Sequence, residues 1–258
     1  MDFETIIVEK KNHVGIITLN RPDQLNTFTA TLAAELDKAL LAMDQDKEIR
    51  VIIITGNGRA FSAGIDVSVL PMKNILEYRQ WIRDMEKSLL TIAHMLKPVI
   101  VAAHGVAAAN GAGLVTAADL AIVAEGTRIG TTAINVGLFC MGPAVPLSRS
   151  LGRKLALEML LTGDFIDAER AERIGLVNKV VPQDKLMDEA MNLATKLASK
   201  SPIALQMGKQ AFYTMSDMEF DKAMEYSDEM FAELCTIDDA LEGINAFKEK
   251  REPVWKLE

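Results

Sequence analysis

Two short glycine-containing loops carry the residues of this chain best suited to chemistry. Arg59-Ala60-Phe61-Ser62-Ala63-Gly64-Ile65-Asp66 follows the apolar run at residues 51–55. His104-Gly105-Val106-Ala107-Ala108-Ala109-Asn110-Gly111-Ala112-Gly113 follows a second run at residues 99–103. Short continuous apolar runs of this kind read as strands buried on both faces. Small residues at the ends of such strands let the backbone approach a ligand closely. Two backbone N–H groups aimed at one oxygen stabilise a developing oxyanion without reorganising, and one such donor is worth about 3 kcal/mol. A helix starting near Gly111 adds the positive end of its dipole to the same place. Taken singly, each loop also reads as a tight strand-to-helix turn whose glycines serve conformation alone. The two together, at the ends of two buried strands, favour chemistry.

The surrounding elements explain how such loops would be held. Residues 5–8 and 14–19 read as short strands joined by a polar turn, and Asn20-Arg21-Pro22-Asp23 as a turn in which Pro fixes the backbone. Thr29 can cap a helix to about Met43, with Leu32, Leu36, Leu40 and Met43 on one face. Residues 78–96 predict an amphipathic helix that stops before Pro98. A short helix over about 112–118 leads to a strand at 120–124. Strands alternating with helices predict an α/β fold with a mostly parallel sheet. Beyond Lys154 strands nearly vanish. A helix there stops at Gly163, and Asp167 caps one that ends at Gly175. Asp184 caps one running to Lys200, and Ser201-Pro202 opens another. Ser216-x-x-Glu219 reads as a capping box for a helix with Phe220, Ala223, Met224, Met230, Phe231 and Leu234 on one face, and a last helix covers about 238–250. The division expected is an α/β core over residues 1–200 and a helical oligomerisation region over 201–258.

Bulk properties set limits. The chain has 258 residues, 49% of them hydrophobic and 25% charged, which suits one large globular domain. Its net charge of -8 argues against a nucleic-acid partner. Cys140 and Cys235 form no disulfide framework, and His13, His94 and His104 are too scattered for a metal site. With no signal peptide, transit peptide or membrane span in view, the expectation is a cytoplasmic protein without a membrane partner.

The loops and several further segments resemble the crotonase (enoyl-CoA hydratase/isomerase) superfamily over nearly the whole chain. Gly15-Ile16-Ile17-Thr18-Leu19-Asn20-Arg21-Pro22 resembles its N-terminal strand and turn, and Phe61-Ser62-Ala63-Gly64-Ile65-Asp66 its first oxyanion loop. Residues 97–119, Leu161-Thr162-Gly163, residues 168–181 and 242–253 are similar to its later segments. Gly137-Leu138-Phe139-Cys140 resembles a hydratase-domain subgroup that lacks both hydratase glutamates. The resemblance implies a ClpP/crotonase-like α/β fold with a helical C-terminal region. It also implies a coenzyme A thioester as substrate, with no other cofactor, and a homotrimer or dimer of trimers. The oxyanion donors it implies are the N–H groups of Ile65 and Asn110. Asn110 stands where the family usually has glycine, and Asn tolerates left-handed backbone better than other side chains do. Its side chain could also reach the ligand. Leu25, Ala63 and Ile65 would lie near the adenine end of coenzyme A, and Phe247 and Lys250 would be lent to a neighbour's nucleotide.

The departure from the family lies in the acids. Positions where its hydratases carry catalytic glutamates hold Gly113 and Ala133 here. Hydration needs a base for water and an acid for the α-carbon, and neither residue supplies one. Other groups are candidates for that work. Cys140 sits where some relatives carry aspartate but also reads as a small buried hydrophobe. Asn135 lies two residues beyond Ala133, and its amide could orient a water. Tyr78, Arg79 and Trp81 begin the helix expected to cover the acyl pocket. Asp66 suits loop capping and His104 a satisfied core histidine.

Three other classes compete. A serine hydrolase is disfavoured because Ala60-x-Ser62-x-Gly64 lacks the first glycine of a nucleophile elbow and residues 56–61 separate it from its strand. A dinucleotide dehydrogenase is weaker, since Thr116 replaces the third glycine after Gly111-x-Gly113. A non-catalytic acyl-CoA-binding protein is the serious rival. The reading favours an enzyme of altered chemistry, because an enolate can be stabilised without the two acids.

Overall fold

The computed structural model describes residues 2–69 and 74–256. Strands β1 (Ile6–Lys11) and β2 (Val14–Leu19) form a hairpin. Asn12 and His13 close it with φ of 50° and 65°, the left-handed pair that a two-residue hairpin turn requires. Then come α1 (Ala30–Gln45), β3 (Val51–Gly56), α2 (Ile75–His94), β4 (Val99–Ala103), β5 (Val106–Ala108), α3 (Asn110–Ala117), β6 (Leu120–Ala124) and β7 (Arg128–Gly130). The second half holds α4 (Met141–Ser150), α5 (Arg153–Thr162), β8 (Phe165–Asp167), α6 (Ala168–Arg173), β9 (Lys179–Val181), α7 (Leu186–Ala198), α8 (Pro202–Met215), α9 (Phe220–Leu234) and α10 (Asp238–Glu249).

Six strands make the main sheet in the order β1-β2-β3-β4-β6-β9, parallel throughout except for the β1–β2 hairpin. A small second sheet, β5-β7-β8, stands beside it. The uninterrupted apolar runs follow from burial on both faces. On β3, Ile52 and Ile54 enter the larger core with α1, while Val51 and Ile53 enter a smaller core beneath α7. On β4, Val99, Val101 and Ala103 face one side and Ile100 and Ala102 the other. This is the α/β arrangement with a helical C-terminal region that the resemblance implies. No helix among the described residues is long and apolar enough to cross a membrane.

Several local expectations need correction. Helix α2 begins three residues before Tyr78, because Asn74 and Glu77 form a capping box: the Asn74 side chain accepts from Leu76 and Glu77 N–H at 2.9 and 3.1 Å, and Glu77 accepts from Asn74 N–H at 2.9 Å. Asp184 does not cap α7; it lies in a 3₁₀ turn, Gln183–Lys185, that precedes it. Ser216 and Glu219 form no capping box, since Ser216 ends α8 and its hydroxyl donates back to the Phe212 carbonyl. The three-residue strands β5, β7, β8 and β9 are too short to leave a periodic signal in sequence.

The helical C-terminal region is tied to the sheet by one buried charge cluster. Lys209 of α8, 6% exposed, donates to the carbonyls of Ile92 and Lys97 at 2.8 and 2.9 Å and to Asp119 at 2.8 Å. Asp119 also accepts from Tyr213 hydroxyl at 2.9 Å and from Val99 N–H at 2.7 Å. The cluster thus fixes the end of α2, the start of β4 and α8 together. Asp119→Ala strands a buried ammonium and two further donors, so it should cost about 3–5 kcal/mol by urea denaturation. Asp217→Ala, which removes an exposed partner of Arg149, should cost about 0–1 kcal/mol. Equal losses in the two variants would contradict this reading of the cluster.

Candidate active site

The first loop is anchored by buried polar groups. Asn26 is fully buried; its amide donates to the carbonyls of Asn57 and Ala60 at 2.9 and 2.8 Å and accepts from Arg21 N–H at 2.8 Å. Ser62, equally buried, donates its hydroxyl to the Asn26 carbonyl at 2.8 Å. His104 is bonded instead to the Gly58 carbonyl at 2.9 Å. Ser62 is therefore a loop fastener with no histidine to activate it, which speaks against a serine hydrolase. Asp66 accepts from Ser68 N–H and hydroxyl at 3.1 and 2.6 Å and lies 3.4 Å from Arg21. The Ser68 hydroxyl, with Arg21 behind it, holds its carboxyl below the usual range. It closes the loop.

Backbone pairing sets the direction of Ile65. Phe28 N–H donates to Gly64 O at 2.7 Å and Asp66 N–H to Phe28 O at 3.0 Å. Those groups flank Ile65, so its own N–H faces the opposite edge and donates to no group among the described residues. Asn110 is the first residue of α3, and its N–H is one of those a helix start leaves without a carbonyl. It too has no acceptor among the described residues.

The loops interlock around these two donors. Ser62 and Ala107 form a bridge, with Ser62 N–H on Val106 O at 3.0 Å and Ala108 N–H on Ser62 O at 2.9 Å. Gly64 has φ +99°, and a Cβ there would meet Ala109 Cβ at 3.0 Å and Ala108 O at 3.2 Å. A Cβ on Gly111 would meet Ser62 O at 2.5 Å. The residue before each donor thus touches the residue before the other. Left-handed backbone falls on Ala109 (φ 46°, ψ -109°), not on Asn110. Such a conformation costs about 1–3 kcal/mol for a residue with a side chain. Ala109 N–H on Gly130 O at 2.9 Å helps to hold it. The Asn110 side chain is committed to the Met85 carbonyl of α2 at 3.3 Å, so it does not turn toward a ligand as expected from sequence.

The remaining candidates are placed as follows. Leu25 O accepts from Ala63 N–H at 3.0 Å, which brings Leu25, Ala63 and Ile65 to one rim of the first loop. Phe247 and Lys250, both exposed, lie at the end of α10 and are not joined to that rim within one chain. Phe247 borders an apolar groove of about 510 Å³ with Leu234, Ile237, Ile244 and Trp255. Tyr78 stacks edge-on against Trp81 with ring centroids 6.3 Å apart. Asn135 is exposed and donates to the Gly163 carbonyl at 3.2 Å, so its amide faces the end of α5 instead of orienting a water as expected. Cys140 is buried at the start of α4; burial pushes its thiol up, against the pull of the Ala133 N–H.

One carboxyl group in this region escaped the sequence reading. Glu86, half-buried on α2, lies against Gly142 so closely that any side chain at 142 would overlap it. Burial raises its carboxyl above the usual range, and the Gly142 N–H only partly offsets this. The available signal was its place beside Met85 and Leu89 on the inward stripe of an amphipathic helix.

Comparison with known proteins extends the picture. The family model described as enoyl-CoA hydratase/isomerase matches residues 9–258. A probable enoyl-CoA hydratase of Rhizobium meliloti is 35% identical over 99% of both chains. Human enoyl-CoA hydratase domain-containing protein 3, mitochondrial, is 35% identical over 94% of this chain and 80% of its own. Among solved structures, an enoyl-CoA hydratase of Mycobacterium smegmatis superposes with TM-score 0.94 at 35% identity, covering 98% of this chain and 99% of that one. The expectation of a cytoplasmic protein is corrected here: similar proteins from Xenopus laevis, Dictyostelium discoideum and human are mitochondrial by name.

The interlock makes a stability prediction. Gly111→Ala forces a Cβ onto the Ser62 backbone and should cost about 1–3 kcal/mol in chemical denaturation. Gly208→Ala, in an open helical position, should instead stabilise by about 0.5–1 kcal/mol. A Gly111→Ala protein as stable as the parent would show that the loops are not in contact.

Proposed function

The chain belongs to the enoyl-CoA hydratase/isomerase family, and from that premise we propose that it is an enzyme acting on a coenzyme A thioester through an enolate. The observation that carries this reading is the pair of unspent N–H groups, Ile65 and Asn110, on two loops in direct contact. As the α-carbon loses a proton or another group, charge gathers on the thioester oxygen. Two fixed donors at that oxygen lower the barrier to enolate formation. The dipole of α3, whose first residue is Asn110, acts in the same direction.

Leu25, Ala63 and Ile65 are the residues assigned to the nucleotide end of coenzyme A. Ile82, Leu138 and Met141 are large apolar side chains left exposed, and they suit an apolar acyl group. The helical region over 201–258 is assigned to self-association. Phe212, Phe220, Phe231 and Phe247 are 65%, 79%, 68% and 86% exposed, far more uncovered aromatic surface than a monomer keeps in contact with water. A trimer or dimer of trimers would cover it and bring Phe247 and Lys250 to a neighbour's nucleotide.

Gly113 and Ala133 favour a second reading, a protein that binds acyl-CoA without turning it over. A glutamate at 113 also meets steric resistance, since a Cβ there lies 3.1 Å from Pro143 Cγ and 3.4 Å from Leu89 Cδ1. On the proposed reading, butyryl-CoA binds saturably by calorimetry. Crotonyl-CoA hydration should then run about 10²–10⁴-fold below a family hydratase that carries both glutamates. Absence of any affinity for coenzyme A thioesters would overturn the function. Brisk hydration would overturn the argument from the missing acids.

A further inference from the structure

The carboxyl of Glu86 packs against the segment that joins the surroundings of the two positions that lack an acid. On one side, its backbone neighbour Met85 holds the Asn110 side chain at 3.3 Å, so this turn of α2 rests on the residue that supplies one of the two donors. Leu89, one turn on, is the side chain that a Cβ at Gly113 would meet at 3.4 Å. On the other side, the carboxyl packs against Gly142, whose neighbour Pro143 closes the space at Gly113 from above at 3.1 Å. The thiol of Cys140 next to it takes the Ala133 N–H. Positions 113 and 133 are thus each linked to this carboxyl, from a different helix, through one intervening residue of the Cys140–Pro143 segment.

We propose that Glu86, a residue outside the two glutamate positions, is the proton-transfer residue of this enzyme; of the two reactions in the family's description, it serves the isomerisation of a β,γ- to an α,β-unsaturated acyl thioester. The inference rests on the thioester-enolate reading above. The C2–H bond breaks and its proton goes to Glu86. The electron pair enters a dienolate whose negative oxygen is held by the Ile65 and Asn110 N–H groups. Glu86 then returns the proton to C4, and the double bond moves into conjugation with the carbonyl. Atoms and electrons balance without a co-reactant. One carboxyl suffices for this shuttle, whereas hydration asks for a base at water and an acid at carbon together.

The setting suits the task. No cationic side chain among the described residues pairs with Glu86. Lys87, its neighbour on α2, is taken by Asp37 at 2.7 Å. The titratable group facing it from α4 is the Cys140 thiol; α3 and residues 132–136 bring none, and Arg149 at the far end of α4 pairs with Asp217. Burial lifts the carboxyl toward the working range of a general base. The folded-state value lies above the unfolded one, so the ionised form is a cost to folding at neutral pH and stability rises as pH falls through the raised value. Replacement by a neutral amide of the same shape removes that cost.

The test uses the full-length protein with butyryl-CoA and 3-hexenoyl-CoA. Binding is read by calorimetry, α-proton exchange in D2O by NMR, and isomerisation by the conjugated-enoyl absorbance. The parent should exchange and isomerise, with a rate that climbs as the carboxyl ionises and then levels. Glu86→Gln should bind butyryl-CoA within twofold of the parent, lose exchange and isomerisation at least 100-fold, lose the pH limb, and melt at a higher temperature. Gly142→Ala, which displaces the carboxyl without removing it, should slow both reactions tenfold or more with binding kept. Parent-like exchange in Glu86→Gln, or a parent that binds butyryl-CoA yet neither exchanges nor isomerises, would overturn the role of Glu86 while leaving an acyl-CoA protein. A parent that binds no thioester would overturn the enclosing function as well.

Discussion

The structure depends on the contact between two loops that belong to different strands. Ser62 bridges Ala107, Gly64 meets Ala109, and Gly111 meets the Ser62 carbonyl. Neither glycine contact leaves room for a side chain. The contact exists because β3 and β4 are adjacent and parallel, so both chains leave the sheet at the same edge. The same adjacency brings together the two segments that carry the unspent N–H groups. Backbone donors held in this way need no reorganisation as charge develops, which is where their advantage over water lies. The local strain at Ala109 belongs to the same arrangement. A left-handed residue turns the chain sharply enough for α3 to begin at Asn110, and the bridge on one side and Gly130 on the other keep it there.

Much of this was legible in the sequence, for identifiable reasons. The strands β3 and β4 are continuous apolar runs because they are buried on both faces. Thr29, Asp167 and Ser201 cap helices as their side chains suggest, accepting from Leu32, Arg170 and Ala204 N–H. Gly163 stops α5 in a left-handed conformation. What escaped was information of another kind. The strands of the small sheet have three residues each and carry no period. Ser216-x-x-Glu219 has the spelling of a capping box, but α8 runs as far as Met215 and takes Ser216 as its own end. In the candidate site, Asn110 and Asn135 were placed by position along the chain, and their amides are spent on carbonyls 25 and 28 residues away in sequence. Glu86 lies near Gly142 because α2 packs on α3 and α3 on α4, a relation with no local signature.

The absence of glutamates at 113 and 133 takes on a different meaning in this packing. Pro143 and Leu89 fill the space beside Gly113, so the position is closed as well as neutral. The carboxyl that does reach the region comes from α2, which is held by its own capping box and by Asp37 of α1 through Lys87 and Thr91. A half-buried, raised carboxyl is a liability for folding and an asset for proton transfer. The C-terminal helices stand apart from this chemistry. Lys209 and Asp119 fasten them to the sheet, and their uncovered aromatic side chains face away from the chain's own core.

The central claim is that Ile65 and Asn110 hold a thioester oxygen. It is tested most directly by isotope-edited difference infrared spectroscopy of butyryl-CoA labelled with 13C at the thioester carbonyl and bound to the protein. Two hydrogen bonds to that oxygen should move the carbonyl stretch to lower frequency than in solution. A bound ligand whose carbonyl absorbs at its solution frequency would contradict the account.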